Sequence, residues 1–305
     1  MTLRPTVASL VRTLQRVLGQ DSAALELKWM KQALDAPAPA PTATLEEMLA
    51  RRVAGEPLQY ILGTQPFGPL NLLVRPPVLI PRPETEDWAL RLAERLAPSR
   101  DKPLTVLDLC TGSGCIPLLL CHLAPPGTLC ATGVDVSENA IQLASDNAAL
   151  CRIAVSENGA PTEPRRNTFT PVLANIRDPA FAISSRLRPP YDVVTSNPPY
   201  ISKRDYDQLP ASVKDYEDPR ALLGDLNGST KGQGLDFYHT ISDLLSKKSQ
   251  PLLKEDGLVA LEVGETQAKD VAELLDQKAH IRNVEIWQDP WGKDRVVVGK
   301  YQSYA

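Results

Sequence analysis

No run of about 18 apolar residues occurs anywhere in the 305-residue chain, so no membrane-spanning helix is expected. Cysteine is sparse and odd in number: Cys110, Cys115, Cys121, Cys130 and Cys151. No Cys-x-x-Cys pair exists, and the three histidines, His122, His239 and His280, are scattered. The cysteines therefore read as reduced, small core residues, and no zinc site is expected. An excess of basic charge is also missing. The formal net charge is -4, which argues against a general nucleic-acid coat and leaves room only for a local basic patch. Proline, by contrast, is plentiful, with 28 residues. Hydrophobic content of 43% and charged content of 23% are ordinary for a globular chain, and the length suggests roughly two domains.

The first twenty residues carry Arg4, Arg12 and Arg16 and no acid. Leu3, Leu10, Val11, Leu14, Val17 and Leu18 follow helical spacing. Two compatible readings exist: an amphipathic mitochondrial presequence, or the first helix of a helical domain. Asp21 or Ser22 can cap a second helix over 23–34. A stiff Ala-Pro connector follows at 36–42. Thr44-Leu-Glu-Glu47 matches a capping box and opens a third helix, which Gly55 stops. Residues 1–55 thus read as a small helical domain. Residues 56–78 read as a hairpin linker, with Leu58 to Leu62 as one arm and Leu70 to Val74 as the other. The third domain, 79–305, starts with Leu79-Ile-Pro-Arg-Pro-Glu-Thr-Glu86, where Pro83 suits a helix first turn and Glu84 and Glu86 suit its positive end. Arg82 stands between two prolines that would hold it in place.

From about residue 103 strands and helices alternate, which predicts a doubly wound α/β sheet with helices on both faces. Strands are expected at 105–109, 130–136, 169–174, 192–196, 257–263, 284–287 and 295–300. Helices are expected at 116–123, 138–150 (capped by Ser137), 239–253 and 267–276. Residues 152–168 read as a loose insertion. Residues 201–236 show no periodic element and read as a substrate lid.

One stretch organises the rest: Tyr191-Asp-Val-Val-Thr-Ser-Asn-Pro-Pro-Tyr200. Residues before proline are driven out of the α region, so Asn197 and Pro198 are extended. The strand ends in a rigid corner that offers the Asn197 amide oxygen and the Pro198 carbonyl as acceptors, with Pro199 and the flat ring of Tyr200 beside them. Such a corner can hold a planar NH2 group. Alone, it reads better as a strand stopped by prolines, with no chemistry.

It does not stand alone. Ligands of such sheets bind beyond the carboxyl ends of the strands. Cys110-Thr-Gly-Ser-Gly114 forms a glycine loop after one strand, and Asp135 ends the next, about 20 residues on, the spacing of a ribose-binding carboxylate. A nucleoside-containing cofactor is implied. A dinucleotide fingerprint fails because Pro117 stands where its third glycine belongs, and a phosphate-binding loop of the Walker type fails because Cys115 follows Gly114. S-adenosylmethionine, with a ribose and an adenine but no phosphate, fits both failures.

The ordered set resembles the class I S-adenosylmethionine-dependent methyltransferases. Within them it is similar to the peptide chain release factor glutamine N5-methyltransferase family. The matching pieces are Gly55-Glu-Pro-Leu-Gln-Tyr60, the Leu79 to Glu86 segment, Val106 to Gly114, Ser196 to Ile201, and Asp294-Arg-Val-Val-Val298. The insertion and Ala-Pro linker look more like its mitochondrial branch. The resemblance implies a helical domain, a hairpin linker and a seven-stranded methyltransferase domain. It implies a class I release factor as partner, methylated on the glutamine of a Gly-Gly-Gln loop, with no stable nucleic-acid or membrane partner and a monomeric enzyme.

Carried over residue by residue, it places Cys110, Thr111, Gly112, Ser113 and Gly114 against the methionine part of the cofactor and Asp135 on its ribose. Asn175 aligns with the adenine-contacting position, and Asn197 also lies against the cofactor. The substrate side falls to Asn197, Pro198, Pro199, Tyr200 and Arg82, with Asn197 and the Pro198 carbonyl holding the reacting amide. No strong general base is required for such a transfer. Asp108 is expected to support the glycine loop, while Glu262 and Glu265 are strand-end residues without an evident role. A competing reading is an N6-adenine-type methyltransferase of nucleic acid, whose target is also a planar NH2. It would need base flipping, and no basic aromatic segment supports it. A non-catalytic binder is disfavoured by the intact Asn197, Asp135 and glycine loop.

Overall fold

The computed structural model describes residues 6–37, 43–156, 166–184, 186–225 and 232–302. Four helices come first: α1 (Val7–Leu18), α2 (Gln20–Asp35), α3 (Leu45–Val53) and α4 (Leu58–Leu62). Thr6 caps α1 through its side chain, and Thr44 and Glu47 form the full capping box on α3. The start of α2 differs from expectation. Gly19, at φ 85, ends α1 and begins α2 directly, so neither Asp21 nor Ser22 acts as the cap. Leu10, Leu14, Ala23, Met30, Met48 and Leu49 share one buried core with Leu58 and Ile61. The last two explain why Leu58–Leu62 is a helical turn and not an arm of the hairpin: two of its apolar residues are recruited by the helices before it. α1 contributes Leu10 and Leu14 to this core and is thus part of the folded cluster. Most of the Ala-Pro connector lies outside the described residues.

A two-stranded hairpin follows, β1 (Thr64–Phe67) against β2 (Leu70–Leu73). Then come α5 (Pro83–Arg95), β3 (Leu104–Leu109), α6 (Cys115–Leu123), β4 (Leu129–Asp135) and α7 (Glu138–Leu150). The two-residue β5 (Ala154–Val155), β6 (Thr168–Leu173) and β7 (Tyr191–Ser196) come next, with a 3-10 turn at Phe181–Ile183 between the last two. Three short helices, α8 (Lys203–Asp207), α9 (Ala211–Lys214) and α10 (Pro219–Leu222), precede α11 (Asp236–Leu245), β8 (Leu253–Glu262), α12 (Ala268–Lys278), β9 (Ile281–Gln288) and β10 (Asp294–Tyr301).

The large sheet runs β5-β6-β4-β3-β7-β8-β10-β9. β5 to β8 are parallel, and β10 runs antiparallel between β8 and β9. The sheet has eight strands where the sequence suggests seven. The extra one, β5, pairs onto the edge from within the stretch read as a loose insertion, whose residues 157–165 lie outside the described residues. α5, α6 and α7 bury Trp88, Leu92, Leu118, Leu119 and Ala148 against one face. α11 and α12 bury Tyr238, Ile241, Val271 and Leu275 against the other. The sheet is therefore doubly wound. Among the described residues no helix is long and apolar enough to cross a membrane.

The stretch read as structureless, 201–236, also differs. α8, α9 and α10 are each four or five residues long, too short to show a helical period in sequence. They are nonetheless specified locally: Ser202 and Asp218 cap the first and third, and Pro219 sits in a first turn. The segment is also fastened. Ile201 bridges to Leu223, and the Asp218 N–H donates to the Pro77 carbonyl at 2.7 Å. Residues 226–231 lie outside the described residues. α11 stops at Leu245 and Leu253 already starts β8, because the residues around Pro251 form the crossing between them.

Candidate active site

The strand order reverses at β3: the chain moves outward to β4 and β6, then returns to the other side of β3 as β7. A crevice opens beyond the carboxyl ends of these strands, as such a reversal requires. Its floor is Cys110 and Gly112 after β3, Val134 to Val136 at β4, Ala174 to Ile176 after β6, and Asn197 and Pro199 after β7. Pro77 to Leu79 and the Asp218 to Ala221 segment close it from above.

Asp135 is the polar anchor of this crevice. Its Oδ2 accepts the Gly112 N–H at 2.9 Å, and its Oδ1 accepts the Ser137 N–H at 2.9 Å. Each carboxylate oxygen keeps a further acceptor site. Burial raises the Asp135 pKa, while the backbone N–H groups and the nearby Arg220 favour its charged form. Next to it, half-exposed Val136 with Ala140, Ala174 and buried Ile176 give the crevice an apolar slot. Asn175 is exposed at the rim, and its Oδ1 is engaged by the Arg177 N–H at 3.0 Å. Cys110 faces the crevice with φ 59; burial pushes its thiol pKa up, so it is neutral. Thr111, Ser113 and Gly114 turn away from the crevice: Ser113 and Thr111 are buried, and Gly114 packs on Ala144 and Leu118.

The corner after β7 is built as tightly. Pro198 and Pro199 are buried, and Asn197 and Tyr200 are half-buried. Asn197 Nδ2 donates to Thr85 Oγ1 at 3.2 Å, and the Thr85 hydroxyl donates to Glu262 Oε2 at 2.7 Å. Trp88 Nε1 donates to the same Oε2 at 2.8 Å, and the Tyr200 hydroxyl lies 3.5 Å from Oε1. Glu262 is 1% exposed, and burial raises its pKa against these donors. The Tyr200 backbone is clasped by two glycines. A Cβ on Gly234 would sit 2.1 Å from the Tyr200 carbonyl oxygen, and one on Gly224 2.7 Å from its Cα. Asp108 lies under the loop, fully buried, accepting the Thr195 hydroxyl at 2.6 Å.

The chain's residues 13–63 match the family model described as the PrmC N-terminal domain. It is 38% identical over 254 residues to a Schizosaccharomyces pombe protein named probable MRF1 mitochondrial N(5)-glutamine methyltransferase mtq1, covering 81% of this chain and 76% of that one. It is 35% identical over 300 residues to the release factor glutamine methyltransferase of Geobacter sulfurreducens, covering 92% and 91%. A solved release factor-specific protein-(glutamine-N5) methyltransferase from Alicyclobacillus acidocaldarius is 26% identical, with a TM-score of 0.39, over 73% of this chain and 95% of that one. The chain belongs to the release factor glutamine methyltransferase family.

Of the residues the sequence points to, Cys110, Gly112, Asp135, Asn175, Asn197 and Pro199 line one crevice, whereas Thr111, Ser113, Gly114, Pro198 and Tyr200 do not. Arg82 is not among its lining residues. Its guanidinium meets the buried Glu217 carboxylate at 2.5 Å, tying the start of α5 to the segment after α9. Thr85, Trp88 and Glu262 were not singled out as a group. Thr85 stands inside the Pro-Glu-Thr-Glu run, but its partner is 177 positions away, and no spacing rule joins them. Asn147 was missed too. Its side chain pairs with both backbone groups of Leu73 and donates to the Ser113 carbonyl, joining the hairpin to the glycine loop.

Proposed function

We propose that this enzyme transfers a methyl group from S-adenosylmethionine to the side-chain amide nitrogen of the Gly-Gly-Gln glutamine of a class I release factor. The observation that carries this is the Asn197 to Tyr200 corner standing at the edge of the crevice that Asp135 anchors.

The crevice suits the cofactor chemically. Asp135 retains acceptor sites for two ribose hydroxyls, the Val136 and Ile176 slot suits a flat purine with Asn175 at its edge, and the loop from Cys110 to Gly114 brings backbone close to the methionine part. S-adenosylmethionine supplies the methyl group on a positive sulfonium. An amide nitrogen is a weak nucleophile because its lone pair is shared with the carbonyl. Asn197 Oδ1 and the Pro198 carbonyl accept its two hydrogens and orient the lone pair toward the methyl. Tyr200 and Pro199 flank the amide plane. The residues thus act by positioning and by preorganised dipoles, with no general base. The methylated nitrogen loses its proton readily to water.

A pocket for one amide cannot choose a single glutamine in a proteome. Selection falls to the cluster of α1 to α4, which grips a second surface of the release factor and raises the local concentration of its loop. The Schizosaccharomyces pombe relative carries a mitochondrial name, which supports a mitochondrial location. Incubating mitochondrial-type and bacterial-type release factors with the protein and S-adenosylmethionine, then mapping peptides by mass spectrometry, tests the reading. A gain of one methyl on that glutamine is expected. Methylation of DNA but of no release factor overturns it.

A further inference from the structure

The Asn197 amide is held by a directional chain of hydrogen bonds, and the direction decides which of its two ends meets the substrate. Trp88 Nε1 can only donate, so Glu262 Oε2 accepts from it. The Thr85 hydroxyl spends its single hydrogen on that oxygen, at 2.7 Å. Thr85 Oγ1 can then only accept from Asn197, 3.2 Å away. Turning the Asn197 amide over would bring two acceptor oxygens together. Its NH2 therefore faces α5, and Oδ1, on the opposite edge of the plane, takes no hydrogen bond from any described residue.

We propose that Thr85 and Glu262 are positioning residues that lock the Asn197 carbonyl toward the substrate and thereby make the site select an amide over a carboxylate. An amide NH2 meets an acceptor. A glutamate side chain meets the same oxygen with another oxygen and is repelled, a rejection written into the site. The proposal rests on the functional reading above.

Thr85→Val keeps the shape and removes the hydroxyl, which frees Asn197 to turn and offer its NH2. Turnover should fall by roughly 10²-fold, the size of a misplaced reacting group, while S-adenosylmethionine affinity stays within about twofold. A release factor with glutamate in place of the target glutamine should become a better competitive inhibitor by roughly tenfold, since the freed amide can donate to it. Thr85→Ser should restore both values. Glu262→Leu removes the acceptor that orients the Thr85 hydroxyl and should move both values the same way as Thr85→Val; the amide measurement on the wild-type protein carries the test if neither variant folds.

Side-chain amide NMR of Asn197 in the wild-type protein reads the orientation without any substrate: one amide proton should be protected from exchange, and lose protection in Thr85→Val. Turnover lost with unchanged glutamine-over-glutamate preference would overturn the proposal, as would an unprotected Asn197 amide in the wild type. A protected amide in an enzyme that methylates no release factor would instead sink the functional reading and leave the lock standing.

Discussion

The guanidinium of Arg82 and the carboxylate of Glu217 meet at 2.5 Å, with the acid 1% exposed and the arginine 34%. The same carboxylate accepts the Ile80 N–H at 3.3 Å. Arg82→Ala strands a buried acid, at a cost of about 1–3 kcal/mol, toward the lower end because water reaches the arginine side. Burial already raises the Glu217 pKa, and Arg82 opposes that. Without Arg82 the acid protonates at higher pH, so the loss should be larger at neutral than at mildly acid pH. Denaturant unfolding at both pH values checks the sign; a loss independent of pH would mean that Glu217 is not the group stranded.

Asn197→Ala should leave S-adenosylmethionine binding largely intact and lower turnover by roughly 10²–10³, the size of one lost preorganised contact. Single-turnover kinetics with saturating cofactor measures it. Near wild-type turnover would remove the role given to Asn197.

Asp135→Ala removes the partner of the Gly112 and Ser137 N–H groups as well as the ribose acceptor. Charge-assisted bonds are worth about 1.5–3 kcal/mol each, so S-adenosylmethionine should bind at least roughly tenfold more weakly. Calorimetry reads this directly, and unchanged affinity would contradict the placement of the ribose.

Asp108 is pushed from 3.8 to about 7, first by burial, with the Thr195 and Thr111 hydroxyls pulling it back down and Asp135 adding to the rise. Its folded pKa lies above its unfolded one. The stability it contributes is therefore full below the unfolded pKa of 3.8 and is lost as pH rises to about 7. Asp108→Asn can still accept from Thr195 and has no such dependence. The variant should gain on the wild type across that window and hold its advantage above it. A stability difference that stays flat with pH would show that Asp108 is ionised in the fold throughout.

What the sequence made legible has a common cause. Thr44 with Glu47, Pro83, Ser137 and the Asn197-Pro-Pro corner act on backbone within a few residues, so their signals are local and fell in the right places. Asp135 could be placed because a glycine loop and the next strand end are separated by a fixed βαβ unit. The failures are those of distance and of length. Leu58 and Ile61 look like strand residues until the helices before them supply a core. α9 and α10 are shorter than any period that could reveal them. Glu262 lies at a strand end without a motif, and only the packing of α5 across β8 brings Thr85 and Trp88 to it.

The clasp on Tyr200 has a meaning for anyone reading variation in this gene. Gly234, at φ 71, and Gly224 are neither crevice-lining residues nor members of the Asn197 chain of hydrogen bonds. Yet each leaves no space for even a methyl group against backbone atoms of Tyr200, which cannot swing aside as a side-chain tip could. Alanine, the smallest possible replacement, is therefore expected to act at Gly234 as a null allele, with low soluble yield and no rescue in a cell that depends on the enzyme. A Gly234→Ala protein of wild-type stability would refute this. Such substitutions act through the whole fold, so distance from the chemistry is a poor guide to their effect.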